Sequence, residues 1–162
     1  MRHLGMAALA VALAIMPAAS AHAQRYRSYT NVRFAYAVCY PSFMTAHPEA
    51  PNSDGRVFSA PDGGELAVYG ANNPQGKSLA DNTREDIDDL IGKTGKVTYR
   101  ANGANWTVFS GVNGAKLVYS KTFVRRDQFV TFELSYPRGS ASRYKSVAEQ
   151  LSRCFRLVTG GF

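Results

Sequence analysis

The sequence predicts an α+β fold, an antiparallel β-sheet of about six or seven strands covered by two amphipathic helices. The first observation is a series of segments in which apolar and polar residues alternate, separated by turns such as Asn-Gly. The second is a pair of segments in which apolar residues recur at helical spacing instead. A sheet with one apolar side needs a cover, and the two helices supply it.

The first strand is predicted in residues 32–40, VRFAYAVCY, because aromatic and branched residues recur there at every second position. One side of this strand carries Phe34, Tyr36, Val38 and Tyr40, and the other carries Arg33, Ala35, Ala37 and Cys39. Pro41 ends the strand, because proline has no N–H to donate to a ladder. RVFSA and ELAVYG follow as a predicted hairpin around the turn Pro61–Gly64.

The first helix is predicted in residues 78–92, SLADNTREDIDDLIG. Ser78 is expected to cap this helix, and Gly92 is expected to help end it. Its apolar stripe consists of Leu79, Thr83, Ile87, Leu90 and Ile91. The other side is assigned the acidic residues Asp81, Glu85, Asp86, Asp88 and Asp89. These acids could form a metal site or a partner surface, but a solvated face is the favoured interpretation of such a run.

A meander of four strands is predicted next, in residues 96–101, 105–111, 115–124 and 128–136. Two of its connecting turns are Asn-Gly, the strongest short signal for a hairpin. The last helix is predicted within 138–155, where apolar residues again recur at helical spacing. FRLV at its end is expected to close the fold as a short extended segment.

Residues 1–23 are predicted to be a secretory signal peptide that is cleaved after Ala23. Arg2 gives a positive start, an apolar stretch from Leu4 to Ile15 follows, and an A-x-A pattern precedes the cleavage point. The apolar stretch is too short to span a bilayer, which argues against a membrane anchor. We therefore expect a periplasmic or secreted protein.

The cleaved chain is expected to fold as one domain. Residues 24–30 are polar and are predicted to be a flexible arm, and residues 31–159 are predicted to be a single globular domain. No later apolar run is long enough to cross a membrane, so we expect a protein that is not membrane-spanning.

The chain is basic, with a formal net charge of +7. Without Arg2, the cleaved chain has 19 − 1 basic against 12 acidic residues, a balance of +6. This charge favours anionic partners in general. Arg125-Arg126 is the only adjacent basic pair, which is not the tract typical of nucleic-acid binding. We expect a monomer whose partner is an unknown protein or an anionic envelope component, and no nucleic acid.

Cys39 and Cys154 are the only cysteines, and an exported chain with an even number usually oxidises them. A reactive thiol needs a nearby base, and His47 is the only histidine of the cleaved chain. A structural zinc site needs about four Cys or His ligands, and the cleaved chain has only three such residues. A Cys39–Cys154 disulfide is therefore the favoured interpretation, and neither a metal nor a cofactor is expected.

No residue is assigned as catalytic. Trp106, Tyr69, Tyr99 and Tyr119 could form an aromatic platform for a ligand, although at strand spacing such residues are more often core. The ligand candidates are Tyr69, Trp106, Arg125 and Arg126. If the protein were a hydrolase, its candidate groups would be His47, Glu65 and Glu133.

The segment 29–43, YTNVRFAYAVCYPSF, resembles the opening of PsbP-like domains, in which an aromatic-rich strand ends in Tyr-Pro. The order of the later elements and the aromatic Phe155 in the last helix are also similar, so the resemblance extends over most of the chain from Tyr29 to Leu157. It implies an α/β/α sandwich around an antiparallel sheet. Members of this family are mostly non-catalytic, and the resemblance implies no functional residue and no disulfide here.

Together these features favour a non-enzymatic exported binding or accessory protein of the bacterial envelope, with an unknown ligand. Two alternatives stay open: a small hydrolase acting on an envelope polymer, and a protein that binds anionic surfaces electrostatically.

Mass spectrometry of the intact exported protein tests the leader and the cysteines together. We expect a chain that begins at Gln24 and is lighter by two hydrogen atoms than its reduced form. A chain that retains the leader, or a free thiol at Cys39, would contradict these expectations.

Overall fold

The computed structural model describes residues 24–158, so the predicted leader, 1–23, and residues 159–162 lie outside it. The two helices of the described chain are α1 (Leu79–Leu90) and α2 (Ala141–Cys154). The strands are β1 (Tyr26–Asn31), β2 (Tyr36–Pro41), β3 (Thr45–Ala46), β4 (Gly55–Ser59), β5 (Glu65–Asn72), β6 (Lys96–Asn102), β7 (Trp106–Asn113), β8 (Lys116–Arg125), β9 (Gln128–Pro137) and β10 (Arg156–Leu157). This architecture confirms the predicted α+β class.

Seven of the strands form one antiparallel sheet in the order β3-β4-β5-β9-β8-β7-β6. The predicted hairpin β4–β5 and the predicted meander β6–β9 are both confirmed. A long-range pairing joins them, because β5 lies beside β9 from Glu65↔Ser135 to Asn72↔Gln128. The hairpin and the meander therefore share a single sheet.

A second, three-stranded sheet has the order β1-β2-β10. Strand β1 covers most of the segment predicted to be a flexible arm, 24–30, and pairs with β2 from Tyr26↔Pro41 to Asn31↔Tyr36, so that prediction was wrong. The physical reason is Tyr29, which packs edge-on against Tyr36 in the core although its sequence neighbours are polar. The first predicted strand also begins later than expected, because residues 32–35 form the turn between β1 and β2.

The main core lies between the large sheet, the small sheet and α2. Its fully buried side chains include Tyr36, Phe58, Leu66, Phe132, Leu134, Tyr144 and Leu151. Burial of each large apolar side chain contributes about 1.5–3 kcal/mol to folding. Tyr36 keeps its hydroxyl satisfied in this core by donating to backbone oxygens of Asp54 and Val68.

Helix α1 packs on the opposite side of the large sheet, mainly against β7 and β8. Ser78 caps it as predicted, because its Oγ accepts a hydrogen bond from the Asp81 N–H at 3.1 Å. A small second core of Ile91, Phe109 and Val118 holds α1 in place. Helix α2 lies against β2, β9 and β8 on the other side. The two helices thus cover different parts of the large sheet. On the side where α1 packs, no helix lies over β4 and β5.

Cys39 in β2 and Cys154 at the end of α2 lie at disulfide distance, with their Sγ atoms 2.04 Å apart. This pair ties the small sheet to the last helix across a sequence separation of 115 residues.

Within residues 24–158, no helix is long and apolar enough to cross a membrane.

Replacement of both cysteines by alanine, in C39A/C154A, is expected to lower the free energy of unfolding by about 2–4 kcal/mol, because a cross-link over a long loop restricts the unfolded chain. Denaturant unfolding of the oxidised wild type and the variant measures this difference. The reduced wild type is the control and should match the variant. Equal stability of all three samples would show that the pair is not a cross-link in solution.

Candidate functional site

The part of the large sheet that α1 leaves uncovered gathers the residues of most chemical interest. Strand register places Val57, Ala67 and Glu133 side by side across β4, β5 and β9, with Ser59 beside Glu65 on the same side. Tyr69 follows Ala67 on this side of β5. We call the six residues Val57, Ser59, Glu65, Ala67, Tyr69 and Glu133 the open face. Val57 is one of the few large apolar side chains of the described chain that is exposed.

A shallow pocket of about 250 Å³ lies at one end of the open face, between the β4–β5 hairpin and the loop that begins at His47. Val57, Ala67 and Tyr69 form part of its wall. Gly55 lies beside Tyr69 in the ladder, and a Cβ at this position would come within 2.0 Å of the Val68 carbonyl oxygen. The close approach of the two strands here therefore requires glycine.

Tyr69 and Glu133 are joined by a hydrogen bond in which the Tyr69 hydroxyl donates to Glu133 Oε1 at 2.5 Å. Burial raises the pKa of Tyr69, and the neighbouring Glu133 carboxylate raises it further. Burial also raises the pKa of Glu133, and although the Tyr69 hydrogen bond opposes that rise, the upward shift remains. Burial thus destabilises the negatively charged form of Glu133.

Asp86 belongs to α1, which packs on the same side of the large sheet as Tyr69 and Glu133. The Asn82 side-chain amide donates to Asp86 Oδ2 at 2.9 Å. Burial raises the Asp86 pKa to about 7, helped by the negative charges of Glu133, Asp89 and Glu85. The Asp86 carboxyl group therefore changes its protonation state near neutral pH.

The three hydrolase candidates His47, Glu65 and Glu133 all lie on this side of the sheet. His47 Nε2 is 2.7 Å from Ser59 Oγ, and Ser59 is paired with Glu65 in the ladder. Within the described chain, however, no carboxylate hydrogen bonds to His47, and Glu133 is bound to Tyr69 instead. The groups are gathered, but they do not form the hydrogen-bonded relay that activates a serine nucleophile.

The four ligand candidates are divided between different parts of the molecule. Trp106 pairs with Phe123, a residue of the α2 side, so it lies on the face opposite Tyr69. Arg125 lies at the end of β8, where its guanidinium donates to the backbone oxygens of Phe34 and Val158. Arg126 occupies the exposed β8–β9 turn with φ 54°. The structure therefore does not bring these candidates together in one site.

The importance of Asp86 was missed in the sequence, where it was assigned with the other acids to the solvated side of α1. Asp86 follows the buried Thr83 by three residues and precedes Leu90 by four, so it lies at the border of the apolar stripe. That spacing was the signal in the sequence that could have identified Asp86 as partly buried.

No group of three or more His, Cys, Asp or Glu residues in the described chain is arranged to hold a metal ion.

Comparison with solved structures identifies the fold. The chain aligns with cyanobacterial PsbP (CyanoP) from Synechocystis sp. PCC 6803 at a TM-score of 0.61 and 15% identity, covering 85% of this chain and 95% of that one. It has the PsbP-like fold. The Ran-binding protein Mog1p of Saccharomyces cerevisiae aligns at a TM-score of 0.64 and 11% identity, covering 84% and 97% of the two chains.

These identities show the fold alone, and at that level they confirm the resemblance found in the sequence. No protein-family model matches the chain, and no curated protein matches it either.

The substitution Asp86→Asn is expected to stabilise the protein at neutral pH but not at acidic pH. Burial raises the pKa of folded-state Asp86 to about 7, above the ordinary aspartate value of 3.8, so between these values the folded state binds more protons than the unfolded state. Wild-type stability should therefore fall as pH rises through this window, and the advantage of D86N should grow to about 1–2 kcal/mol for a partly exposed group.

Urea unfolding of both proteins between about pH 4 and about pH 8 measures this effect. The control is E149Q on the exposed side of α2, whose difference from the wild type should not change with pH in this way. A constant difference between D86N and the wild type at every pH would contradict the assignment.

Proposed function

We propose that this protein is a non-enzymatic exported binding or accessory protein of the bacterial envelope, and that the open face is its binding surface. The observation that carries the proposal is the exposed Val57 with the partly buried Ala67 and Tyr69 on the same side of the sheet, bordered by Glu65 and Glu133. An apolar patch with a polar rim is the usual composition of a protein-binding surface.

Export is supported by the leader pattern of residues 1–23 and by the cysteine pair at disulfide distance. Disulfides persist in oxidising compartments such as the periplasm, and they are rare in the bacterial cytosol. On this proposal the protein works in the periplasm or outside the cell.

The similarity to Mog1p supports a role in binding, because that protein is a Ran-binding protein. The two chains are only 11% identical, so what is transferred is the capacity of this fold to present a binding surface and not the identity of the partner.

One observation favours the alternative of a small hydrolase, namely the contact between His47 and Ser59. A histidine can activate a serine hydroxyl at this distance. The binding proposal is preferred because both residues lie on the rim of an open surface, where water is not excluded, and because no carboxylate orients His47 in the described chain.

Photocrosslinking in the intact envelope tests the binding surface. A benzoylphenylalanine residue at Val57 is expected to give a discrete adduct with a partner, whereas the same residue at Tyr99 is expected to give none. Tyr99 is the matched control, because it is 54% exposed against 37% for Val57 and lies outside the open face. Random collisions would therefore favour the control. Equal adducts at both positions, or none at Val57, would contradict the proposal.

A further inference from the structure

We propose that the cavity between the first turn of α1 and the β6–β7 hairpin binds the oxyanion group, phosphate or carboxylate, of a small anionic ligand. The cavity measures about 280 Å³, and its walls include Leu79 and Ala80 of α1, Arg100 and Asn102 of β6, and Thr107 of β7. We call it the helix pocket. It lies at the β6 edge of the large sheet, away from the open face on β4, β5 and β9, so the inference goes beyond the proposed function.

The first support is Thr107, whose side chain forms part of the wall of the helix pocket. Thr107 precedes Phe109 by two residues in β7, and Phe109 packs beneath α1 with Ile91, so both β7 side chains point to the α1 side of the sheet. Thr107 is 3% exposed, and its Oγ1 has no hydrogen-bond partner. Because buried hydroxyl groups are nearly always hydrogen-bonded, this group indicates a missing partner.

An occupant of the helix pocket can reach the Thr107 hydroxyl without a movement of the backbone. The ladder pairs Asn102↔Thr107 and Thr107↔Thr122 hold the Thr107 backbone between two strands, so the side chain is the part that borders the cavity. Rotation about the Cα–Cβ bond moves the hydroxyl and methyl groups between staggered positions. The hydroxyl can thereby be turned towards an oxygen atom in the cavity and donate to it.

The second support is the first turn of α1, which has free hydrogen-bond donors. Ser78 caps the helix by accepting the N–H of Asp81 with its side chain and the N–H of Asn82 with its backbone oxygen. Within residues 24–158, the N–H groups of Leu79 and Ala80 have no acceptor, and both residues line the helix pocket. Free N–H groups at the positive end of a helix dipole favour an anion.

The third support is the charge around the helix pocket. Arg100 is exposed and takes part in none of the ion pairs of the described chain. Among residues 24–158, no acid lines the pocket. Asp81, the acid in the first turn of α1, already binds Ser78 Oγ at 2.6 Å and the Arg84 guanidinium at 3.0 Å. Arg100 is therefore available as the cation, and a guanidinium suits phosphate and carboxylate groups.

The size and the donor arrangement of the helix pocket define the class of ligand. Sites for drug-sized molecules measure about 300–1,000 Å³, so a cavity of about 280 Å³ suits an oxyanion group with a short attached part. The donors come from three elements: backbone N–H groups of α1, a guanidinium on β6 and a hydroxyl on β7. An oxygen-rich group can accept from all three at once.

NMR of the amide signals of the full mature protein tests the proposal, with sodium phosphate and sodium acetate as separate probes near neutral pH. Sodium chloride at equal ionic strength supplies the baseline. We expect saturable shifts of the Leu79 and Ala80 amide signals, because these N–H groups donate to the bound anion. The ion that binds more tightly identifies the group, phosphate or carboxylate, that the site prefers.

Two variants test the side chains. R100Q is expected to weaken binding about tenfold, and T107V is expected to weaken it about threefold. The control R138Q removes an exposed arginine beyond the opposite end of β9 and should leave binding within about twofold of the wild type. T107V keeps the shape of the side chain and removes an unpartnered hydroxyl, so thermal unfolding should show a fold at least as stable as the wild type.

A lack of saturable shifts at Leu79 and Ala80 with both ions would overturn the proposal. So would an equal loss of binding in R100Q and R138Q, since the anion would then respond only to the net charge of the protein. Wild-type affinity in T107V would overturn it as well. Crosslinking from Val57 reports on the open face alone, so the proposed function and this inference fail separately.

Discussion

The pairing of β5 with β9 is the interaction on which the rest of the structure depends. It aligns eight residue pairs, from Glu65↔Ser135 to Asn72↔Gln128, between strands that are far apart in the sequence. Without it, the hairpin and the meander would be two small sheets with exposed edges, which are prone to non-native pairing. Closing the intervening loop opposes folding, although this entropic term grows only slowly with loop length.

One side of this β5–β9 ladder contributes to the main core, and the other side forms part of the open face. Val68 and Phe132 are paired on the side of α2 and are almost completely buried in the main core. Tyr69 and Glu133 lie on the opposite side and form the hydrogen bond at the centre of the open face. Neighbouring residues of a strand point to opposite sides of the sheet. A shift of register by one residue would therefore move core side chains such as Phe132 to the open face and, at the same time, move Glu133 into the core.

The offset between the two covers explains why this site exists. Helix α1 is held over β7 and β8 by Ile91, Phe109 and Val118, so it brings Asp86 to the border of the uncovered strands. There burial raises the pKa of Asp86 to about 7, helped by the negative charges of Glu133, Asp89 and Glu85 and opposed by Lys77.

The sequence by itself determined the local elements, because strand alternation, Asn-Gly turns and the cap at Ser78 act within a few residues of one another. It also pointed to the fold, through the order of those elements, and to the pairing of its only two cysteines. Only the tertiary structure decided that β1 is a strand, that Tyr69 and Trp106 lie on opposite faces, and that Tyr69 donates a hydrogen bond to Glu133. Each of these depends on burial and on contacts between distant segments, which no short window of sequence contains.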